Sequence, residues 1–143
     1  VAKKVKRKRP DIEFVISTSR KEFGGTWPTE KALRYQEESI VEIRAGRTKQ
    51  EYYEDLKSCK VVFSSALQDT VGNCILEAII FGATPVLTDK VGYQLYLPKE
   101  FIYRGYNEAV KKIIKYIDQP KDCTEYLSYH LGSVDRMIDE VIK

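Results

Sequence analysis

The run Ser64-Ser65-Ala66-Leu67-Gln68-Asp69-Thr70-Val71-Gly72-Asn73-Cys74-Ile75-Leu76-Glu77-Ala78 leaves an apolar strand, crosses a polar loop and enters a helix. Gly72 falls where the first helical turn should form, so backbone amides there can approach an anion without side-chain obstruction. Helix starts favour negative charge through unpaired N–H groups and the macrodipole, which makes a diphosphate a natural occupant. Glu77 stands among Ile75, Leu76, Ala78, Ile79, Ile80 and Phe81. A carboxylate on so apolar a helix is costly unless it accepts hydrogen bonds. Two ribose hydroxyls can supply them, as can protein amides or a place at the solvent edge. Asp69 is an ordinary loop residue that gains interest only as the partner of Glu77 across the helix start.

Outward from this run, short apolar segments alternate with helical patterns. Strands are expected at Ile12–Ser17, Ile40–Ile43, Val61–Ser65, Pro85–Thr88 and Phe101–Tyr103, each bounded by polar or turn residues. Thr48-Lys49-Gln50-Glu51 reads as a capping box opening a helix that runs to about Ser58. A second helix is expected from near Val71 to Gly82, whose residue type tolerates a left-handed helix end. Asn107 is the expected cap of a third, with Val110, Ile113, Ile114 and Ile117 on its apolar face and Pro120 as its stop. Leu127, Leu131, Val134, Ile138 and Val141 mark the buried face of a long terminal helix, and 24–29 a loop leading into a short helix through Arg34.

Strands alternating with helices imply right-handed crossovers and a Rossmann-like, doubly wound α/β fold, its mainly parallel sheet covered by helices on both faces. Ligands of such sheets sit beyond the carboxyl ends of the strands. The pattern fits one domain over residues 1–143. Ala2 to Arg9 reads as a helix end, whereas a doubly wound domain starts on a strand. The expectation is therefore that the first strand and its following loop are missing from this chain.

Composition excludes more than it selects. With 43% hydrophobic and 31% charged residues and a net charge of +3, the chain is an ordinary globular one with no overall demand for a polyanion. The basic residues Lys3, Lys4, Lys6, Arg7, Lys8 and Arg9 read as a solvated face or a flexible end, or else as a phosphate-facing or nucleic-acid-facing patch. Cys59, Cys74 and Cys123, odd in number and widely spaced, match neither a disulfide framework nor a zinc site, and point to a reducing, cytoplasmic compartment. No apolar run is long enough for a membrane span, and no signal peptide opens the chain. His130, the only histidine, is expected on the terminal helix, structural or exposed and not catalytic. No nucleophile elbow, Walker loop or GxGxxG fingerprint appears.

The ordered set of elements resembles the donor-binding, C-terminal domain of the retaining GT-B glycosyltransferases, in particular the glycosyltransferase 4 group. That family's strand ends in Ser, an acid-x7-Glu motif with an internal Phe-Gly follows, then Glu-Ala, the rest of a helix, and Gly-x-Pro-Val. Here stand Ser64-Ser65, Asp69 and Glu77 seven residues apart, Val71-Gly72, Glu77-Ala78 and Gly82-Ala83-Thr84-Pro85-Val86. Upstream, Ile40–Gly46 and Tyr52–Leu56 resemble the family's strand–Gly–helix unit, so the likeness spans about residues 1–118.

The resemblance implies a domain that binds a nucleotide-diphosphate sugar, with no separate cofactor and no metal, and hands a hexose to an acceptor. Glu77 would hold the donor ribose, and Asp69 would touch the transferred sugar as the catalytic acid-motif residue. Thr70, Val71, Gly72 and Asn73 would line the loop against sugar and diphosphate, and Gly46 and Arg47 would flank the nucleobase. Asp69 is one methylene shorter than the family's Glu, and the Gly82–Pro85 turn is one residue longer than the commonest form. The family's diphosphate-neutralising Arg and Lys, and its N-terminal acceptor domain, have no counterpart in the chain, which is therefore not expected to catalyse alone. A looser similarity to the tRNA-queuosine mannosyltransferase branch rests on Ser64-Ser65-Ala66-Leu67, Gly72, Glu77-Ala78, Gly82-x2-Pro85 and Gly92-Tyr93-x4-Pro98, and admits a nucleic-acid acceptor. The alternatives are a non-catalytic Rossmann-like binding domain and a nucleic-acid-binding module that uses the basic N-terminal segment.

Overall fold

The computed structural model of the protein describes residues 1–18, 30–67 and 72–130, with side chains through Leu127. It is an α/β structure whose strands form two small parallel sheets flanked by helices. Two compact units divide the chain, Val1–Asp55 and Leu56–Lys143.

In the first unit, α1 (Ala2–Lys8), β1 (Val15–Ser17), α2 (Glu30–Glu37) and β2 (Glu42–Arg44) precede α3 (Lys49–Ser58), inside which the unit boundary falls. Strands β1 and β2 pair in parallel, with Val15 opposite Glu42 and Ser17 opposite Arg44. Both are shorter than their apolar runs, and Ile12 and Ile40 are buried outside the ladder. The basic run has a local structural use. Lys6, Arg7 and Lys8 fill the last turn of α1, where cations offset the negative end of the helix dipole. Arg9 grips Asp11 through two nitrogens, and Lys3 pairs with Glu38 at 3.0 Å.

Helix α2 continues three residues past Arg34 and ends in a Schellman motif. Ile40 N–H donates to the Tyr35 carbonyl at 2.8 Å and Ser39 N–H to the Gln36 carbonyl at 2.9 Å. The left-handed position, normally glycine, is Ser39 with φ 55°. The capping box of α3 is made as the sequence predicts. Thr48 Oγ1 accepts from Glu51 N–H at 3.3 Å, and Glu51 Oε2 accepts from Thr48 N–H at 2.8 Å.

The second unit is built on β3 (Val61–Ser64), β4 (Thr84–Thr88) and β5 (Ile102–Tyr103), all parallel, with β4 in the middle. All five residues of β4 are buried, so both of its faces are covered. Pro85 lies in this central strand without leaving a ladder bond unmade. Thr84 N–H donates toward β3, to the Lys60 carbonyl at 2.9 Å, so the next position faces the other side. There β5 begins only opposite Leu87.

Helix α4 (Asn73–Ile80) buries Ile75, Leu76, Ala78 and Ile79. Its end is a second Schellman motif, Ala83 N–H to the Ala78 carbonyl and Gly82 N–H to the Ile79 carbonyl, both 2.9 Å, with Gly82 at φ 92°. Short 3₁₀ turns at Gly92–Leu95 and Lys99–Phe101 carry the chain to β5, so Phe101 packs from a turn and not from the strand. Helix α5 (Tyr106–Asp118) buries Ala109, Val110, Ile113 and Tyr116 and stops two residues before Pro120. Its N-cap is Gly105, not Asn107, which lies inside the first turn; Glu108 Oε2 instead accepts from Arg104 N–H at 3.0 Å. Leu127 is buried in a 3₁₀ segment, Thr124–His130, so that segment is not the start of the expected long helix. The 24–29 loop and the positions from Leu131 onward lie outside the described residues.

None of the three cysteines is in a disulfide. Burial, reinforced by the Asp122 charge, pushes the Cys123 thiol up to about 12, and burial likewise raises Cys59. Cys74, on the first turn of α4, is exposed. Among the described residues, no helix is long and apolar enough to cross a membrane.

Candidate functional site

The carboxyl edge of the β3–β4–β5 sheet gathers the chemistry of the second unit. Strand β3 ends at Ser64, whose Oγ accepts from Ala66 N–H at 3.2 Å and turns the chain out of the sheet. The chain re-enters regular structure at Gly72, which is buried and left-handed, with φ 65° and ψ 58°. A side chain at that φ and ψ would be strained. Gly72 has no side chain to cap the helix, and no acidic residue occupies the first turn of α4. The Gly72 carbonyl accepts from Ile75 N–H at 2.7 Å and Leu76 N–H at 3.1 Å. The first turn of α4 thus opens without a side-chain cap, and the positive end of its dipole meets no compensating carboxylate in that turn.

Asn73 is exposed, and Glu77, one turn further and on the same face, is half-buried. The helix is thus less enclosed than its apolar composition predicts, because its apolar side turns to the sheet and Glu77 stands beside that side, not within it. Glu77 has interactions within the protein. Asp69, Thr70 and Val71 lie outside the described residues.

Gly46 and Arg47 belong to the first unit, just past the carboxyl end of β2. Gly46 has φ 67°, which allows Arg47 N–H to donate back to the Thr18 carbonyl at 3.0 Å. The Arg47 guanidinium forks onto Asp55 through Nε at 3.0 Å and Nη2 at 2.8 Å. Asp55, with 8% of its side chain exposed, also accepts from Ser17 Oγ at 2.7 Å and pairs with Arg44, which in turn forks onto Glu42. Arg47, with Ser17 and Arg44, holds the Asp55 carboxyl well below the usual carboxylate range against the opposing effect of burial. This network ties both strand ends to α3 and engages the group expected beside a nucleobase.

Sequence reasoning missed the hydroxyl cluster around Ser64. Tyr103 Oη donates to the Ser64 carbonyl at 3.0 Å, and Tyr93 Oη lies 3.4 Å from Ser64 Oγ. Both tyrosines are buried, and Phe63 stacks on Tyr103 at 5.7 Å between centroids. Burial raises the Tyr103 phenol above its ordinary value, opposed by the Thr88 hydroxyl. Thr88 Oγ1 accepts from Lys90 N–H at 3.2 Å, and Asp89 between them has an Oδ1 closed to solvent that accepts no hydrogen bond among the described residues. Only pairing of three separate strands brings these side chains together, and the one signal in the sequence was Thr88-Asp89 at a strand's carboxyl end. Leu67, Leu95 and Tyr106 stand exposed after β3, β4 and β5 in turn. Among the described residues, no group of three His, Cys, Asp or Glu side chains is placed to hold a metal ion.

No protein-family model matches the chain, and no curated protein or solved structure does.

Proposed function

We propose that this chain is the donor-binding part of a glycosyltransferase, a doubly wound domain that holds a nucleotide-diphosphate sugar at the carboxyl edge of its parallel strands. The observation that carries the reading is the start of α4. A left-handed glycine, Gly72, opens the helix that follows a parallel strand, with no side-chain cap and no acid in the first turn. Such a start accepts a diphosphate through backbone N–H groups and the helix dipole. Glu77, on the Asn73 face, is the ribose-binding carboxylate, and Asp69 the residue at the transferred sugar. Catalysis in this class is positioning plus stabilisation of charge on the departing diphosphate. The chemistry needs an acceptor-binding partner domain.

The nucleic-acid-binding alternative draws on the basic start of the chain. Against it, Lys3, Lys6 and Arg9 are engaged with Glu38, the Pro10 carbonyl and Asp11. No observation favours it over donor binding.

Ligand-observed NMR with UDP, GDP, ADP and their hexose conjugates tests the donor reading. One base is expected to bind, and Glu77→Ala to weaken it by about 1–3 kcal/mol, the loss of a charged hydrogen-bond partner. Binding indifferent to Glu77→Ala would remove the ribose contact.

A further inference from the structure

We propose that Asp89 is a sugar-binding carboxylate that accepts a hydroxyl of the donor's hexose at the carboxyl edge of the β3–β4–β5 sheet. The proposal rests on the donor-binding reading above.

Asp89 directly follows β4, and its N–H extends the ladder by donating to the Tyr103 carbonyl at 3.1 Å. Its backbone is therefore fixed. Its carboxylate is not: Oδ1 is closed to solvent and accepts no hydrogen bond among the described residues, and the Lys90 ammonium is 3.8 Å away. Desolvating a carboxylate oxygen without giving it a donor is costly, and native proteins leave few such groups. The neighbouring hydroxyls do not supply one. Tyr103 gives its only hydroxyl proton to the Ser64 carbonyl, and Tyr93 and Ser64 face each other.

An arriving hydroxyl would give Oδ1 the hydrogen bond it does not receive from the described residues, at the expense of no existing hydrogen bond to that oxygen. The side chain as a whole is 23% exposed, so it lies at the surface of this edge and not deep in the core. The surroundings suit a neutral polyol better than an anion. Thr88 precedes Asp89 in the chain, and the Tyr103 phenol feels the Asp89 charge and the Thr88 hydroxyl, while Lys90 is a cation paired with the carboxylate. A phosphate subsite would need guanidinium or several ammonium groups.

Calorimetric titration of the 143-residue chain with UDP, GDP and ADP, then with UDP-glucose, GDP-mannose and ADP-glucose, tests the assignment. For the base that binds, Asp89→Ala is expected to weaken the hexose conjugate about tenfold and to leave the free diphosphate within about twofold. Asp89→Asn, which keeps the shape and one acceptor oxygen, should weaken the conjugate less, with an unfolding midpoint in urea no lower than wild type. Equal weakening of diphosphate and conjugate, or weakening of neither, overturns the assignment, while Glu77→Ala still reports separately on donor binding. A lowered urea midpoint for Asp89→Asn also overturns it, since the carboxylate would then be held by the protein itself. A folded wild-type chain that binds none of the six probes removes the donor reading and this proposal with it.

Discussion

Thr84 opens β4 with no exposed surface, and both capacities of its hydroxyl are spent on one residue 37 positions away: Oγ1 donates to the Lys121 carbonyl at 3.0 Å and accepts from Lys121 N–H at 2.8 Å. The pair pins the segment after α5 to the base of the central strand. Lys121 also reaches Glu100 at 2.7 Å, and Tyr116 Oη donates to the same glutamate's carbonyl at 3.3 Å. Thr84→Val keeps the shape but takes away the hydroxyl that the part-buried Lys121 N–H and C=O both use. It should cost about 1 kcal/mol in urea unfolding, the net worth of ordinary part-buried hydrogen bonds. An unchanged midpoint would mean that water replaces the hydroxyl. Nothing in the sequence around Thr84 marks this bond, because a threonine in an apolar strand reads simply as a β-branched residue. Asp55 is similar. The helical pattern of α3 is legible, but the two guanidiniums and the hydroxyl that surround its carboxylate come from β1, from β2 and from the loop after β2.

At the level of elements, the two Schellman ends make a matched pair, one with the expected residue type and one without. Gly82 has φ 92°, and a Cβ there would meet nothing within 4 Å. Gly82→Ala therefore suffers backbone strain alone, about 1–2 kcal/mol, partly offset by a stiffer unfolded chain, for a net loss of about 1 kcal/mol. Ser39 has φ 55° at the equivalent position of α2. Ser39→Gly relieves that strain and should gain about 0.5 kcal/mol after the entropic offset. Thermal unfolding of the two variants beside wild type checks both signs. The capping box of α3 and the stop at Pro120 were legible because each depends on residues within one turn of one another. The start of α5 was misjudged by two residues. Asn107 has a good capping side chain, but the extended backbone at Gly105 and the Glu108 bond to Arg104 N–H settle the boundary instead.

For the chain as a whole, the second unit carries an alkaline limit. Burial, reinforced by Glu100, pushes the Tyr116 phenol up to about 12, while the unfolded phenol has its ordinary value of about 10. A raised folded value means that stability is fully present below about pH 10 and falls as pH rises toward about 12, by at most about 1.4 kcal/mol per pH unit for this one proton. Tyrosinate absorbance against pH should show a late-titrating class, and Tyr116→Phe should remove one member of it and flatten the loss of stability in that window. An unchanged slope would assign the effect to Tyr103, which burial also raises.

By itself the sequence determined the alternation of parallel strands and helices, the capping box, the glycine that opens α4 and the one that ends it. All of these follow from propensities and contacts within a few residues. Only the tertiary structure decided how far each strand extends, that Arg47 lies on Asp55, that the Ser64 carbonyl receives the Tyr103 hydroxyl, and that Asp89 keeps an oxygen that accepts no hydrogen bond among the described residues. Those outcomes depend on which strands lie side by side, and pairing across 39 residues, as between Ser64 and Tyr103, leaves no periodic trace in the chain.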